Sequence, residues 1–153
     1  MRVMVAQFPQ SVFGNIALFS GLTPAELAGI ISIAVKRSYA AGDQLFSEGD
    51  PCTGLFVIAG GAVKIVKTAP SGRQIMLAVE RAPSTVAEVP LFDGGVYPAS
   101  VFAIEDTTAY VLPLRDFQSL CLRHPDVSLK FLAVVGRRLR HLVSLVERVT
   151  FGG

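Results

Sequence analysis

Between Arg81 and Arg115 the chain carries neither lysine nor arginine. It holds only 2 cysteines and 2 histidines in 153 residues, and no unbroken apolar run approaches the length of a bilayer span. Each shortage removes a class of chemistry. Cys52 and Cys121 lie far apart, without metal-ligand or haem-attachment spacing, so a disulfide framework, a zinc site and an iron–sulfur cluster find no support. Both cysteines read as small apolar residues. The N-terminal MRVMVAQFPQ has one arginine and a short apolar patch broken by Gln7 and Pro9, which falls short of a secretory signal, so the cytoplasm is the expected location. A phosphate-binding Walker loop, a nucleophile elbow with Ser-His-Asp order and a paired-carboxylate setting are all missing, and no enzyme activity is expected.

What is present is apolar. Hydrophobic residues make up 51% of the chain, mean hydropathy is +0.51 and the formal charge is only +2. One domain of ordinary size is expected, with apolar surface covered by a partner rather than a basic face for nucleic acid. The cluster Arg137, Arg138 and Arg140 reads as a solvated helix face.

The order of elements is helix, many short strands, helix. Thr23-Pro24-Ala25-Glu26 forms a capping box with proline at the first helical position, and the apolar run through Ile30, Ile31 and Val35 extends that helix. Turn residues then recur at Gly42-Asp43, Glu48-Gly49-Asp50-Pro51, Gly60-Gly61, Pro70-Ser71-Gly72, Gly94-Gly95 and Glu105-Asp106. The pieces between them, 44–47, 55–59, 62–68, 74–79, 100–104 and 108–112, read as strands of a sandwich or jelly roll. Residues 62–67 alternate, so one face of that strand should be wet. A short helix over 115–124 precedes a long one opened by Pro125. On the long helix Leu132, Val135, Leu139, Leu142, Val146 and Val149 repeat at three and four residues, a heptad-like seam for a twin helix. A second stripe through Phe131, Val134, Arg138, His141 and Leu145 faces the helix's own domain.

Thr85 to Ser100, TVAEVPLFDGGVYPAS, is the stretch most suggestive of a site. Glu88 opens a short apolar turn, Gly94-Gly95 ends it, and Tyr97-Pro98-Ala99-Ser100 leads into the next strand. Such a turn aims backbone N–H groups at a concave space that favours an anion, yet no cation is nearby in sequence.

The element order, Glu48-Gly49-Asp50, Gly60-Gly61-Ala62-Val63, the Ala87-Glu88 and Leu91-Phe92 cassette, and Arg137-Arg138-Leu139 together resemble the bacterial cyclic-AMP receptor/fumarate-nitrate regulator family, over roughly 18–151. The resemblance implies a mainly β fold, a double-stranded β-helix jelly roll with flanking helices, followed by a long dimerisation helix. It divides the chain into a sensor domain over 1–124 and a dimerisation helix over 125–153, with the family's helix-turn-helix DNA-binding domain beyond the last residue. Its effector site would take in Ala87, Glu88, Val89, Tyr97, Pro98, Ala99, Ser100, Arg138, Leu142 and Val143.

Several of these positions depart from the nucleotide-binding pattern. The family glycine before the glutamate is Ala87, the phosphate-neutralising arginine is Pro98, the following hydroxyl residue is Ala99, and the purine-holding polar pair is Leu142 and Val143. A buried phosphodiester without its cation is costly, which counts against cyclic AMP. The Ala-Glu pattern without arginine is similar to the branch that senses nitric oxide through haem, so haem enters as a candidate cofactor, with His141 a weak axial candidate beside His124. Glu88 is expected to be the one acid of an apolar pocket, or to be tied to a backbone N–H or to Ser100. The expected partners are a second copy through the long helix, an unidentified small effector, DNA only through the further domain, and no membrane. A regulatory or interaction module without DNA binding is the alternative.

Overall fold

The computed structural model describes residues 9–152. Helix α1 (Pro9–Gly14), a 3-10 turn (Ala17–Phe19) and α2 (Pro24–Ile33) precede eight strands. These are β1 (Val35–Tyr39), β2 (Gln44–Phe46), β3 (Gly54–Gly60), β4 (Ala62–Thr68), β5 (Gln74–Arg81), β6 (Ser84–Val86), β7 (Ser100–Ala103) and β8 (Thr107–Pro113), with α3 (Glu88–Asp93) between β6 and β7. Helices α4 (Leu114–Arg123) and α5 (Pro125–Phe151) complete the order. The strands form two four-stranded antiparallel sheets, β1-β8-β3-β6 and β2-β7-β4-β5, which is the expected jelly roll.

The β3 run LFVIA is apolar at every position because both of its faces are buried. Leu55 and Val57, with Leu112 of β8, face Phe13, Phe19, Ile30 and Phe131 on the helices. Phe56 and Ile58, with Val111 of β8, face into the roll against Phe46, Val63, Val101 and Tyr97. One sheet therefore carries a core on each side. Gly61 makes the β3–β4 turn at a φ of 84°, and a Cβ there would stand 2.4 Å from the Asp106 carbonyl oxygen, so glycine is required.

The capping box on α2 forms as the sequence indicates. Glu26 N donates to Thr23 Oγ1 at 3.2 Å, and Thr23 N donates to Glu26 Oε1 at 2.8 Å. Lys130 Nζ on α5 reaches the same carboxylate at 2.5 Å, tying α2 to the last helix. That contact, more than the capping bonds, holds the Glu26 carboxyl below the usual carboxylate range.

Three readings need correction. Helix α2 stops at Ile33, and Val35 begins β1 as an exposed residue, because the chain needs an edge strand beside β8 at that point. Strands β1 and β6 carry no apolar alternation and escape a pattern search; they exist because β8 and β3 offer ladder hydrogen bonds. On β4 a strict alternation would turn Lys64 and Lys67 to opposite faces, but an irregularity in the β4–β5 pairing between Ile65 and Val66 restores the register, so Lys67 is exposed while Val63 and Val66 are buried.

The roll is closed by Tyr97. Its ring stacks on Phe46 at 4.0 Å between centroids, and its hydroxyl accepts from Thr53 N at 3.1 Å and Gly54 N at 3.3 Å while donating to Gly54 O at 3.0 Å. Tyr97→Phe keeps the ring and strands two backbone donors, so it should lower stability by about 1–3 kcal/mol. Urea unfolding with an unchanged slope checks this; a loss under about 0.5 kcal/mol would show that water replaces the hydroxyl.

Candidate functional site

The cassette is built outward from β6. After Val86 the chain turns through Ala87 in the left-handed region (φ 63°, ψ 50°), the only non-glycine residue with positive φ among those described. This reversal starts α3 at Glu88, and Gly94 at φ 71° ends it. Gly95 N then donates to Asp93 Oδ1 at 2.8 Å. The strand-entry segment is pinned to the Glu48-Gly49-Asp50 turn, with Tyr97 N donating to Asp50 O at 2.9 Å and Gly49 N donating to Tyr97 O at 2.8 Å.

Glu88 is fully engaged. One carboxylate oxygen accepts from the Thr85 hydroxyl, and the other pairs with the Arg138 guanidinium on α5. The cleft beside this pair, about 300 Å³, is lined by Asn15, Glu80, Ser84, Thr85, Glu88 and Arg138 together with Ile16, Ala17 and Pro83. The expectation of an apolar pocket with a single acid is therefore corrected: the cleft is polar and holds a second carboxylate, Glu80. Glu88 also does not bond Ser100, whose hydroxyl accepts from Glu48 N at 2.9 Å.

The remaining predicted residues scatter. Ala87, Glu88 and Arg138 come together. Val89 and Val143 are exposed, and Tyr97 and Ala99 are buried in the roll. Leu142 lies instead on a shallow groove with Val134, Arg137, Arg138, His141, Ala17 and Ser20. Pro98 is exposed, and its carbonyl accepts from Lys67 Nζ at 3.0 Å, with Glu48 Oε2 4.0 Å from the same nitrogen. Sequence reasoning missed Lys67 because it looked for a cation between Arg81 and Arg115, whereas β4 supplies one by strand pairing to β7. Lys67 lies on the outer face, so it neutralises nothing inside the roll.

Residues 36–124 match the cyclic nucleotide-binding domain family. The chain belongs to that family. Among curated relatives, the cyclic AMP receptor protein of Thermus thermophilus is 34% identical over 134 residues, covering 88% of this chain and 62% of the relative's own length. The N-terminal domain of a transcriptional regulator from Streptomyces coelicolor superposes with a TM-score of 0.81 at 33% identity, over 88% of this chain and 94% of that domain. The sensor domain of the regulator DNR from Pseudomonas aeruginosa shares the fold, with a TM-score of 0.74 at 23% identity over 88% of this chain and 91% of that one. This member of the cyclic nucleotide-binding family thus sits with the N-terminal domains of the cyclic-AMP receptor/fumarate-nitrate regulators, and it spans about three fifths of the length of the curated relatives it matches.

The donor set of this cyclic nucleotide-binding family member does not fit a haem. A haem needs an apolar slot and an axial ligand in one place. His124 is exposed at the α4–α5 junction, and His141 is exposed on the groove it shares with two guanidinium groups. The apolar groove between α3, α4 and α5 contains no histidine and lies about a third of a turn away around α5. Its one sulfur, on Cys121, has its thiol pKa raised by burial, which disfavours the thiolate that iron takes.

Ala87 occupies a conformation that costs an L-residue roughly 1–2 kcal/mol. Ala87→Gly should raise stability by about 0.5–1 kcal/mol once the looser unfolded chain is discounted, and Ala87→Val should lower it. Thermal unfolding of both variants checks the sign; a less stable Ala87→Gly protein would mean that the methyl packs against the roll more strongly than the backbone is strained.

Proposed function

We propose that this chain is the effector-sensing and dimerising part of a cytoplasmic transcription regulator, that its effector is not a cyclic nucleotide, and that it has no catalytic role. The observation that supports the ligand statement is the packed interior of the roll: Tyr97 and Phe46 stack within its core, and the cation that reaches Pro98, Lys67, is exposed on the outside. Seating a phosphodiester there would break the Tyr97 hydroxyl bonds and bury a charge without a partner.

The dimer rests on α5. Its inner stripe, Val127, Phe131 and Val134, is buried against the domain, whereas the seam residues remain uncovered, from 37% exposed at Val135 to 85% at Val149. Such a row on a 27-residue helix is apolar surface that water leaves for a matching row. The Glu88–Arg138 pair then links the cassette to the paired helices, so an effector that moves α3 also moves the exit direction of α5. DNA binding belongs, on this reading, to a further domain of the kind the longer relatives have room for. Among the described residues no helix is long and apolar enough to cross a membrane.

Two measurements test this. Cyclic AMP titrated to millimolar concentration in a calorimeter should release no binding heat; micromolar affinity would overturn the ligand statement. Leu139→Glu should convert dimers to monomers in sedimentation, because a carboxylate would be buried in the seam, and an unchanged dimer mass would place the interface elsewhere.

A further inference from the structure

A space of small-molecule size lies beneath α5. A groove of about 520 Å³ opens between α3, α4 and the N-terminal half of α5. Three rings form its wall: Phe92 meets Phe117 edge-on at 5.8 Å, Phe117 meets Phe131 at 5.3 Å and Phe92 meets Phe131 at 6.2 Å. Phe117 and Phe131 are buried and fixed by the core, while Phe92 is 42% exposed at the mouth. None of the residues lining the groove is charged. The Ser128 hydroxyl is already spent on the Cys121 carbonyl at 3.0 Å, and burial keeps the Cys121 thiol protonated. The Gln118 amide, exposed at the rim, is the one polar side chain left to orient a guest.

We infer that this groove is the effector site and that it takes an uncharged, largely apolar molecule with an aromatic ring. The volume lies in the range of small-molecule sites. Edge-on rings offer an aromatic guest further edge-to-face and offset contacts, and a charged guest would be desolvated with nothing to compensate it. Position supplies the coupling. Leu132 and Val135 belong at once to the groove and to the α5 seam, and Phe92 lies on the cassette that holds Glu88. A guest wedged among these three would change the spacing between α3 and α5, and with it how two α5 helices meet. The consequence for signalling rests on the regulator reading above; the binding itself does not.

The probe is N-phenyl-1-naphthylamine, a neutral aromatic dye whose emission rises and shifts to the blue in an apolar site, compared with the anionic anilinonaphthalene sulfonate. The neutral dye should bind the intact chain in the micromolar range and the anionic one at least tenfold more weakly. Cys121→Phe, which fills the groove, should weaken the neutral dye at least tenfold. Gln118→Glu changes only an exposed rim residue and should weaken it severalfold with an unaltered circular dichroism spectrum. Bound dye should also slow alkylation of Cys121 by N-ethylmaleimide in the unmodified protein, a readout that holds even if Cys121→Phe fails to fold. Binding should persist in Leu139→Glu, whose substitution lies outside the groove, so failure of the dimer and failure of the groove are told apart. Equal affinity for both dyes, unprotected Cys121, or binding lost in Leu139→Glu would overturn the inference, the last by showing that the groove exists only as part of an interface between copies.

Discussion

The arrangement depends on the hydroxyl of one buried tyrosine. Tyr97 joins the loop after α3 to the start of β3, its hydroxyl accepting from the Thr53 and Gly54 N–H groups and donating to the Gly54 carbonyl. Because the ring also stacks on Phe46, the inner face of the roll is a packed core and not a cavity. The backbone follows that of the cyclic nucleotide-binding family, while Tyr97, Phe46 and Phe56 pack together on the inner face of the roll. What the fold retains is the cassette of β6, the left-handed turn at Ala87 and α3, together with its pairing to the long helix.

That pairing is modest in energy and large in consequence. Arg138 is partly exposed, so its contact with Glu88 is screened and contributes little to overall stability. Its importance is geometric. Glu88 receives one oxygen's worth of order from Thr85 on its own side and one from α5 on the other. A displacement of α3 therefore has to be followed by α5 or the carboxylate is left with a single partner. Beyond residue 134 the helix carries its apolar residues outward, with no described core beneath them. The high mean hydropathy of the chain has its structural origin in this row and in the exposed Ile75, Met76, Leu77 and Val79 of the edge strand β5.

Much of the fold was legible because it rests on local chemistry. The capping box at Thr23, the turn glycines and the all-apolar β3 each state their conformation within a few residues. The helix seam was legible for the same reason, since period alone separates Phe131 and Val134 from Leu132 and Val135. The site was not. Whether Glu88 meets an anion, a serine or an arginine is decided by which element crosses above it, and Arg138 lies 50 residues away. Lys67 escaped for a related reason: its neighbour Pro98 is 31 residues distant, and a strand irregularity rather than a pattern decides which way it points. The cation that reaches Pro98 does so at its carbonyl oxygen, from an exposed side chain of β4.

The division of labour within α5 follows from these placements. On the proposed reading, α5 must hold the domain with one face and leave another free to meet a partner. Here the faces are separated along the helix as well as around it. The first turns bury Val127, Phe131 and Val134, and from Val135 onward no residue of the helix is buried. The first half is thereby locked to the core by aromatic contacts with Phe19, Phe92 and Phe117, while the second half is restrained mainly through Arg138. Motion of the anchored half would break a packed cluster, whereas the later half is held by the Arg138 ion pair and by the shallow groove it forms with Ala17 and Ser20. The apolar groove, with its rim at Leu132 and Val135, ends at the boundary between the halves; on the regulator reading, that is where a bound effector would act on the helix.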